Sequence, residues 1–444
     1  MNWKEEYQSK LVSLDEAASF VQSGDAIATG PMTGFPLALV NAITAREDLD
    51  GVTFVSGLWM TLPDFLLQEK DHRFHYNTLF MGPVERMFLK FGAINPASVH
   101  FHRAQDFSGQ YDFGCAVMDV SLPDAHGYMS IGPGSSLLGK SAFRAAKNVL
   151  VQVNPHTPFL IGTDMHIHVS EVDAICEVDQ PLFELPDLVP DETEIKIAQM
   201  VAERIPDGAT LQLGIGKLAN AIGDCLTDKK DLGIHTELLT SSMINLYEQG
   251  VITGRRKTLH HEKMVAAFCI GKTRDYEFLN NNPATEFYPA PYVNNPMTIA
   301  KNRNFVSINN ALTVDLTGQV ASEALGFNQH SATGGQLDFV RGANMSEGGM
   351  SFITLKSTAN TDNGTISRIS AAFAPGTVVT TPRSDVHYIA TEYGIANLDC
   401  QTIPERVNRM INIAHPDFRD QLAREAVESG LVNAGMIKMD SKAA

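Results

Sequence analysis

The sequence predicts two α/β domains of similar topology, each an open and largely parallel sheet, with the active site in the cleft between them. Three observations lead there. At 444 residues the chain exceeds what one apolar core usually supports, so two domains are the expectation. A local pattern then occurs twice: helices at 14–22 and 195–204 run into GDAIATGPMTGFPLALVNAI and DGATLQLGIGKLANAI. Both copies pass through Gly/Asp and a short apolar strand to a glycine turn and an Asn-Ala-Ile helix, which reads as a degenerate duplication. Any two βα units share part of this pattern. Finally, proline and acid cluster in LFELPDLVPDETE (182–194), a linker that places the domains at 1–189 and 190–444.

Taken in order, the first half continues with strand-like runs at 52–55, 116–120, Asn148–Val153 and 174–178. Helical stretches between them favour parallel pairing. In the second half, Thr210–Leu213 has β character, and Leu218, Ile222, Cys225 and Leu226 fall on one helical face. Further strands are expected at 264–270, 304–308, 351–355 and 376–380, joined by loops rich in Gly and Asn.

Composition narrows the function. A hydrophobic content of 44% with 19% charged residues is that of an ordinary folded enzyme-sized protein. The net charge of −17, with no basic run to neutralise phosphates, argues against a nucleic-acid partner. The opening MNWKEEYQSK lacks the apolar core of a signal peptide, and no stretch approaches the ~18 uncharged residues of a membrane span. A soluble, cytoplasmic protein is expected. The cysteines at 115, 176, 225, 269 and 400 are scattered without CxxC spacing, as for reduced core thiols.

Residues 207–250 carry the strongest chemical signal. Gly214 and Gly216 break the Thr210–Leu213 run, and glycines at a βα turn let backbone amides approach a ligand. Glu237 follows the short apolar run at 232–236, at a strand end where α/β sheets place their chemistry. A second glycine turn, SATGGQLDF (331–339), could offer bare amides to a thioester carbonyl or pyrophosphate, but an ordinary tight turn is the favoured reading from the residues alone. In TTPRSDVHY (380–388) the plain reading is an Arg383–Asp385 pair bracing the sheet. His166 and His168 with Glu171 lack a third ligand at metal spacing and read as a packed or surface pair. His260-His261-Glu262 is not HExxH and reads as an exposed turn. Glu286 and Glu392 are rival carboxylates, the latter with a structural hydrogen-bonding role as an equal alternative.

Six ordered motifs resemble the acetyl-CoA hydrolase/transferase family, and within it the 4-hydroxybutyrate and butyrate:acetate CoA-transferase group. They are GIGKLANAI, GIHTELL, SINNALTVDLTGQ, SATGGQLDFVRGA, VVTTPRSDVHYIATEYGIANL and IAHPDFRDQL. The resemblance implies paired CoA-transferase-like domains of the NagB/RpiA type. It makes Glu237 the catalytic residue, forming a covalent glutamyl-CoA thioester. Gly216, Lys217, Leu218, Ala219 and Asn220 become its CoA-binding turn, and Leu312, Gly335 and Lys356 further CoA contacts. It implies coenzyme A as substrate with no metal, acyl-CoA and short-chain carboxylates as partners, and a homodimer or homotetramer. Hydrolysis of acyl-CoA on the same scaffold is the alternative. The residue types suit exchange independently, since a carboxylate is both a nucleophile and a tolerable leaving group.

Overall fold

The computed structural model describes residues 2–67, 73–186 and 188–438. Asp187, inside the expected linker, lies outside the described residues. The first sheet contains seven strands, β1 (Ala26–Thr29), β2 (Val52–Ser56), β3 (Phe74–Thr78), β4 (Ile94–Pro96), β5 (Phe113–Val120), β6 (Asn148–Val153) and β7 (Ala174–Glu177). All its pairings are parallel, in the order β4-β3-β2-β1-β5-β6-β7. Strand β5, FGCAVMDV, is buried along its whole length, as a central strand covered on both faces must be.

The second sheet repeats this winding. Its strands are β8 (Thr210–Leu213), β9 (Gly233–Leu239), β10 (Met264–Cys269), β11 (Thr285–Phe287), β12 (Phe305–Asn310), β13 (Met350–Thr354), β14 (Tyr388–Thr391) and β15 (Gly394–Asn397). The order is β11-β10-β9-β8-β12-β13-β14-β15, parallel except for the closing β14–β15 hairpin. In both sheets the first strand sits centrally and the chain winds to one side, then to the other. The shared order agrees with the duplicated pattern in the sequence.

Helices cover the faces. Helix α1 (Glu192–Arg204) starts with a capping box between Asp191 and Glu194 and buries Ile197, Ala198, Val201 and Ala202. Helix α2 (Lys217–Asp224) follows Gly216, whose φ of 119° suits glycine alone. Helix α3 (Gln336–Met345) follows the Gly334-Gly335 turn, and α4 (Ile403–Asn412) and α5 (Pro416–Glu428) pack beside the β14–β15 hairpin. The apolar core on one face of the first sheet continues into Leu238, Val265, Phe268, Phe305 and Phe339 of the second half. The two halves therefore share buried surface.

Four local expectations are corrected. Residues 376–380 form no strand; Thr380 and Thr381 instead bond back to Val320, and the sheet continues at β14. Asp385 pairs with Arg341 at 3.2 Å rather than with Arg383. His260 is partly buried against Glu286 and Tyr292 instead of lying in an exposed turn. Cys400 is exposed, and Cys225 only partly buried, so the core-thiol expectation holds for Cys115, Cys176 and Cys269 alone.

Candidate active site

A cavity of about 810 Å³ opens where the carboxyl ends of β8, β9, β12 and β13 meet the first half. Its position follows from register. Strand β8 pairs with β9 only at Thr210↔Gly233 and Leu211↔Ile234, whereas β9 continues to Leu239. The chain turns away at Gly214 and uncovers the end of β9, beside the switch in winding direction between β8 and β12. Glu237 stands on this uncovered stretch, within β9 and not after it as the sequence suggested.

The carboxyl group of Glu237 is held from two sides. Oε2 accepts a 2.6 Å hydrogen bond from Nδ2 of Asn294, which is fully buried at the end of the short helix Ala290–Val293. On the other side lies Gly335, and a Cβ there would overlap both Glu237 Oε2 and Asn294 Nδ2. The absent side chain at Gly335 is thus space for the carboxylate. Burial pushes the Glu237 carboxyl up to about 8; the Asn294 bond opposes the rise and the negative charge of Asp338 adds to it. Its partial exposure to the cavity admits water, which screens part of that push.

The turn ahead of α3 is fixed from the first half. Phe101 N donates to Gly334 O at 3.2 Å, while His102 donates its backbone N–H to Asp338 Oδ2 at 3.1 Å. His102 Nδ1 also lies 2.7 Å from Asp338 Oδ1, and the buried carboxylate raises the pKa of the imidazole. The first turn of α3 is thereby pinned beside Glu237. On the floor, Asn310 bonds Ile215 O and Thr354 Oγ1, and Gln336 bonds Asn310 O. Arg368 donates to Ala311 O and Leu312 O at 2.5 and 2.7 Å, setting the bend after β12.

The cavity gathers most of the residues singled out above. Glu237, Lys217, Leu218, Leu312, Gly335 and Lys356 line it. Gly216 and Asn220 line an adjoining recess of about 320 Å³ that shares Ile215 and Leu238 with it. Ala219 reaches neither, because it falls on the face of α2 that packs with Ile222 into the core. Lys356 faces the cavity with its ammonium already held by Asp191 and Glu194. Glu286 bonds His260 and Tyr288, and Glu392 accepts from the backbone and hydroxyl of Ser357. Both rival carboxylates are engaged in local structure.

Sequence reasoning missed the wall contributed by the first half. Leu58, Trp59, Met60, Phe80, Met81 and Val84 form it, from the loops after β2 and β3 and the short helix Pro83–Phe88 that follows. Fully buried Glu85 ties these loops together, accepting from Trp59 N at 2.5 Å and from Gly82 N at 2.9 Å. Burial pushes its carboxyl up to about 7. Asn294 also went unnoticed, since an Asn in NNP has no signal of its own. For Glu85, the three-residue spacing from Gly82 is a capping pattern that was there to be read.

Comparison with known proteins is decisive about kinship. Residues 1–184 match the acetyl-CoA hydrolase/transferase N-terminal domain, and 271–426 match the corresponding C-terminal domain. A succinyl-CoA:cyclohexane-1-carboxylate CoA transferase of Geobacter metallireducens is 43% identical, covering 96% of this chain and 97% of that protein. The chain belongs to the acetyl-CoA hydrolase/transferase family. A 4-hydroxybutyrate coenzyme A transferase of Clostridium kluyveri is 40% identical over 96% of this chain and 99% of its own length. The crystal structure of RipA from Yersinia pestis superposes with a TM-score of 0.89 at 37% identity, covering 97% of this chain and all of that one. Four of the six motifs, at 214–222, 233–239, 307–319 and 331–343, contribute residues to the cavity, whereas those at 378–398 and 413–422 do not line it. Among the described residues, no helix is long and apolar enough to cross a membrane.

Proposed function

We propose that this enzyme moves coenzyme A between an acyl-CoA and a short-chain carboxylate, such as acetate, butyrate or 4-hydroxybutyrate, through a covalent thioester at Glu237. The observation that carries the reading is the carboxyl group of Glu237, presented at the cavity between Asn294 and Gly335. An ionised Glu237 oxygen attacks the acyl carbonyl, the C–S bond breaks, and CoA leaves as thiolate. The thiolate then attacks the Glu237 carbonyl carbon of the mixed anhydride, releasing the first acid as its carboxylate. Glutamyl-CoA remains, and the incoming carboxylate runs the same steps backwards. No proton is gained or lost across the cycle.

Each addition creates an oxyanion. The amides opening α3, at the Gly334–Gln336 rim of the cavity, are suitably placed donors, worth ~3 kcal/mol each if aligned. Gly216 to Asn220 supply the turn along which CoA runs, with Lys217 and the orphan amides of α2 for its phosphates. Leu312, Gly335 and Lys356 complete the contacts. In this reading the domain boundary lies near residue 190, between β7 and α1, and the cytoplasmic enzyme assembles as a homodimer or homotetramer.

Incubation with acyl-CoA and no acceptor should leave CoA attached at Glu237. Borohydride reduction followed by peptide mapping locates the adduct. Brisk exchange without any adduct would sink the covalent route. If instead acyl-CoA is consumed at a rate indifferent to added acid, with water as the acceptor, the hydrolase alternative stands.

A further inference from the structure

Strand β9 presents two side chains to the same short helix. His235 and Glu237 are two residues apart and therefore share a face of the strand. Glu237 accepts from Nδ2 of Asn294, while His235 Nε2 donates at 2.8 Å to the carbonyl oxygen of Val293, the residue before it. His235 is fully buried, its ring set across that of Phe305, and it lines neither the cavity nor the adjoining recess. Because Nε2 faces a carbonyl it carries the ring proton, and Nδ1 has no partner among the described residues. Burial, followed by the nearby charges of Lys257 and His260, pushes the imidazole down to about 3 against the Val293 bond. The ring thus keeps one tautomer and no charge wherever Glu237 titrates.

The Val293–Asn294 peptide is a rigid plane with both polar ends engaged. Its oxygen is taken by His235, and its N–H donates to Ala290 O at 2.8 Å. The Asn294 amide, in contrast, bonds Glu237 alone, and its Oδ1 is buried with no partner among the described residues. Its direction is consequently set from the backbone. We propose that His235 is a positioning residue for CoA transfer: through the Val293 carbonyl it fixes the peptide plane that aims the Asn294 amide at Glu237, and so orients the attacking carboxylate without touching substrate. The inference rests on the CoA-transfer reading and adds to it a residue outside the cavity. Without that bond the amide is free to turn, and the carboxylate loses the contact that opposes the effects of burial and of Asp338.

A double-mutant cycle between His235→Leu and Asn294→Ala tests this. In the wild-type background His235→Leu should lower kcat for exchange about 30-fold with KM for acyl-CoA little changed, because a small misplacement slows attack and leaves CoA binding intact. In the Asn294→Ala background the same change should cost less than about threefold. His235→Gln, which keeps a donor near the place of Nε2, should recover most of the rate. Isotope-edited infrared spectra of the Glu237 carboxyl need no turnover: its titration midpoint should rise by about one unit in His235→Leu and stay in place in His235→Gln. Additive losses in the cycle, or an unmoved midpoint in His235→Leu, overturn the proposal, since a residue that merely packs the core acts independently of Asn294. If His235→Leu does not fold, His235→Asn, whose amide stops short of the carbonyl, takes its place; failure of both to fold also overturns the proposal, making the bond part of the core. Should wild type carry no adduct at Glu237, the covalent reading fails, while the infrared midpoints still decide the role of His235.

Discussion

In the proposed mechanism Glu237 must lose a proton before it attacks, and its surroundings resist that loss. With the carboxyl pushed up to about 8, the rate of thioester formation at limiting acyl-CoA should climb with pH and level off above that value. Stopped-flow release of CoA thiol from pH 5.5 to 9.5 measures it, and a profile flat above pH 5.5 would contradict the burial argument. The same shift bears on stability. The folded protein holds this proton between the ordinary carboxylate range and about 8, where the unfolded chain has released it, so the group's contribution falls as pH rises through that window. Glu237→Gln should abolish exchange. It should also raise Tm relative to wild type, by little at pH 5 and by several degrees at pH 8 and above. Gly335→Ala is expected to cost about 100-fold in thioester formation, because the methyl group displaces the carboxylate from its attacking position. A normal rate with an unchanged melting curve would show that the turn yields freely.

The two glycines of the expected CoA site act differently at the level of elements. Gly216 has room for a side chain, its nearest neighbour to an added Cβ being Asn310 Nδ2 at 3.6 Å, but its φ of 119° is unfavourable for L residues. Gly335 has an ordinary φ and no room. The amphipathic pattern at 218–226 was readable because burial at period 3.6 is local, and it correctly located α2. Strand β9 was legible too, though the length of its free end was not, since that depends on where β8 departs. The two wall loops after β2 and β3 depend on Glu85. Glu85→Gln replaces an acceptor of two N–H bonds with one whose NH2 faces a donor, at a cost of ~1–3 kcal/mol. KM for the acid should rise more than kcat falls, because the loops shape the wall and make no bond to Glu237. Equal losses in kcat/KM from kcat alone would place Glu85 closer to the chemistry.

For the whole molecule, one contact that joins the two halves beside the site is the His102–Asp338 pair together with the Phe101–Gly334 bond. His102→Ala leaves the buried Asp338 without its imidazole partner, and unfolding free energy should drop by ~2 kcal/mol at pH 6. Because the pair raises the pKa of the imidazole, its charged contribution is full below the ordinary histidine value and fades as pH rises through the folded value. The gap between variant and wild type in denaturant melts should therefore narrow from pH 6 toward pH 9. A constant gap would mean that the neutral hydrogen bond carries all of the effect.

Local pattern alone determined the α/β class, the repeated βα unit, most strands and the glycine turns, because these depend on side-chain period and on conformations open to glycine. Six motifs in order also made the family resemblance specific, with Glu237 as its reactive carboxylate. What only tertiary structure decided is which groups meet around that carboxylate. Asn294, Gly335 and Asp338 approach it from segments 57 to 101 residues away, and the wall with Glu85 and Arg86 comes from the other half of the chain. Such contacts leave no periodic trace. They arise from sheet register and from the packing of one half on the other, and the proton affinity of Glu237 is set by that enclosure.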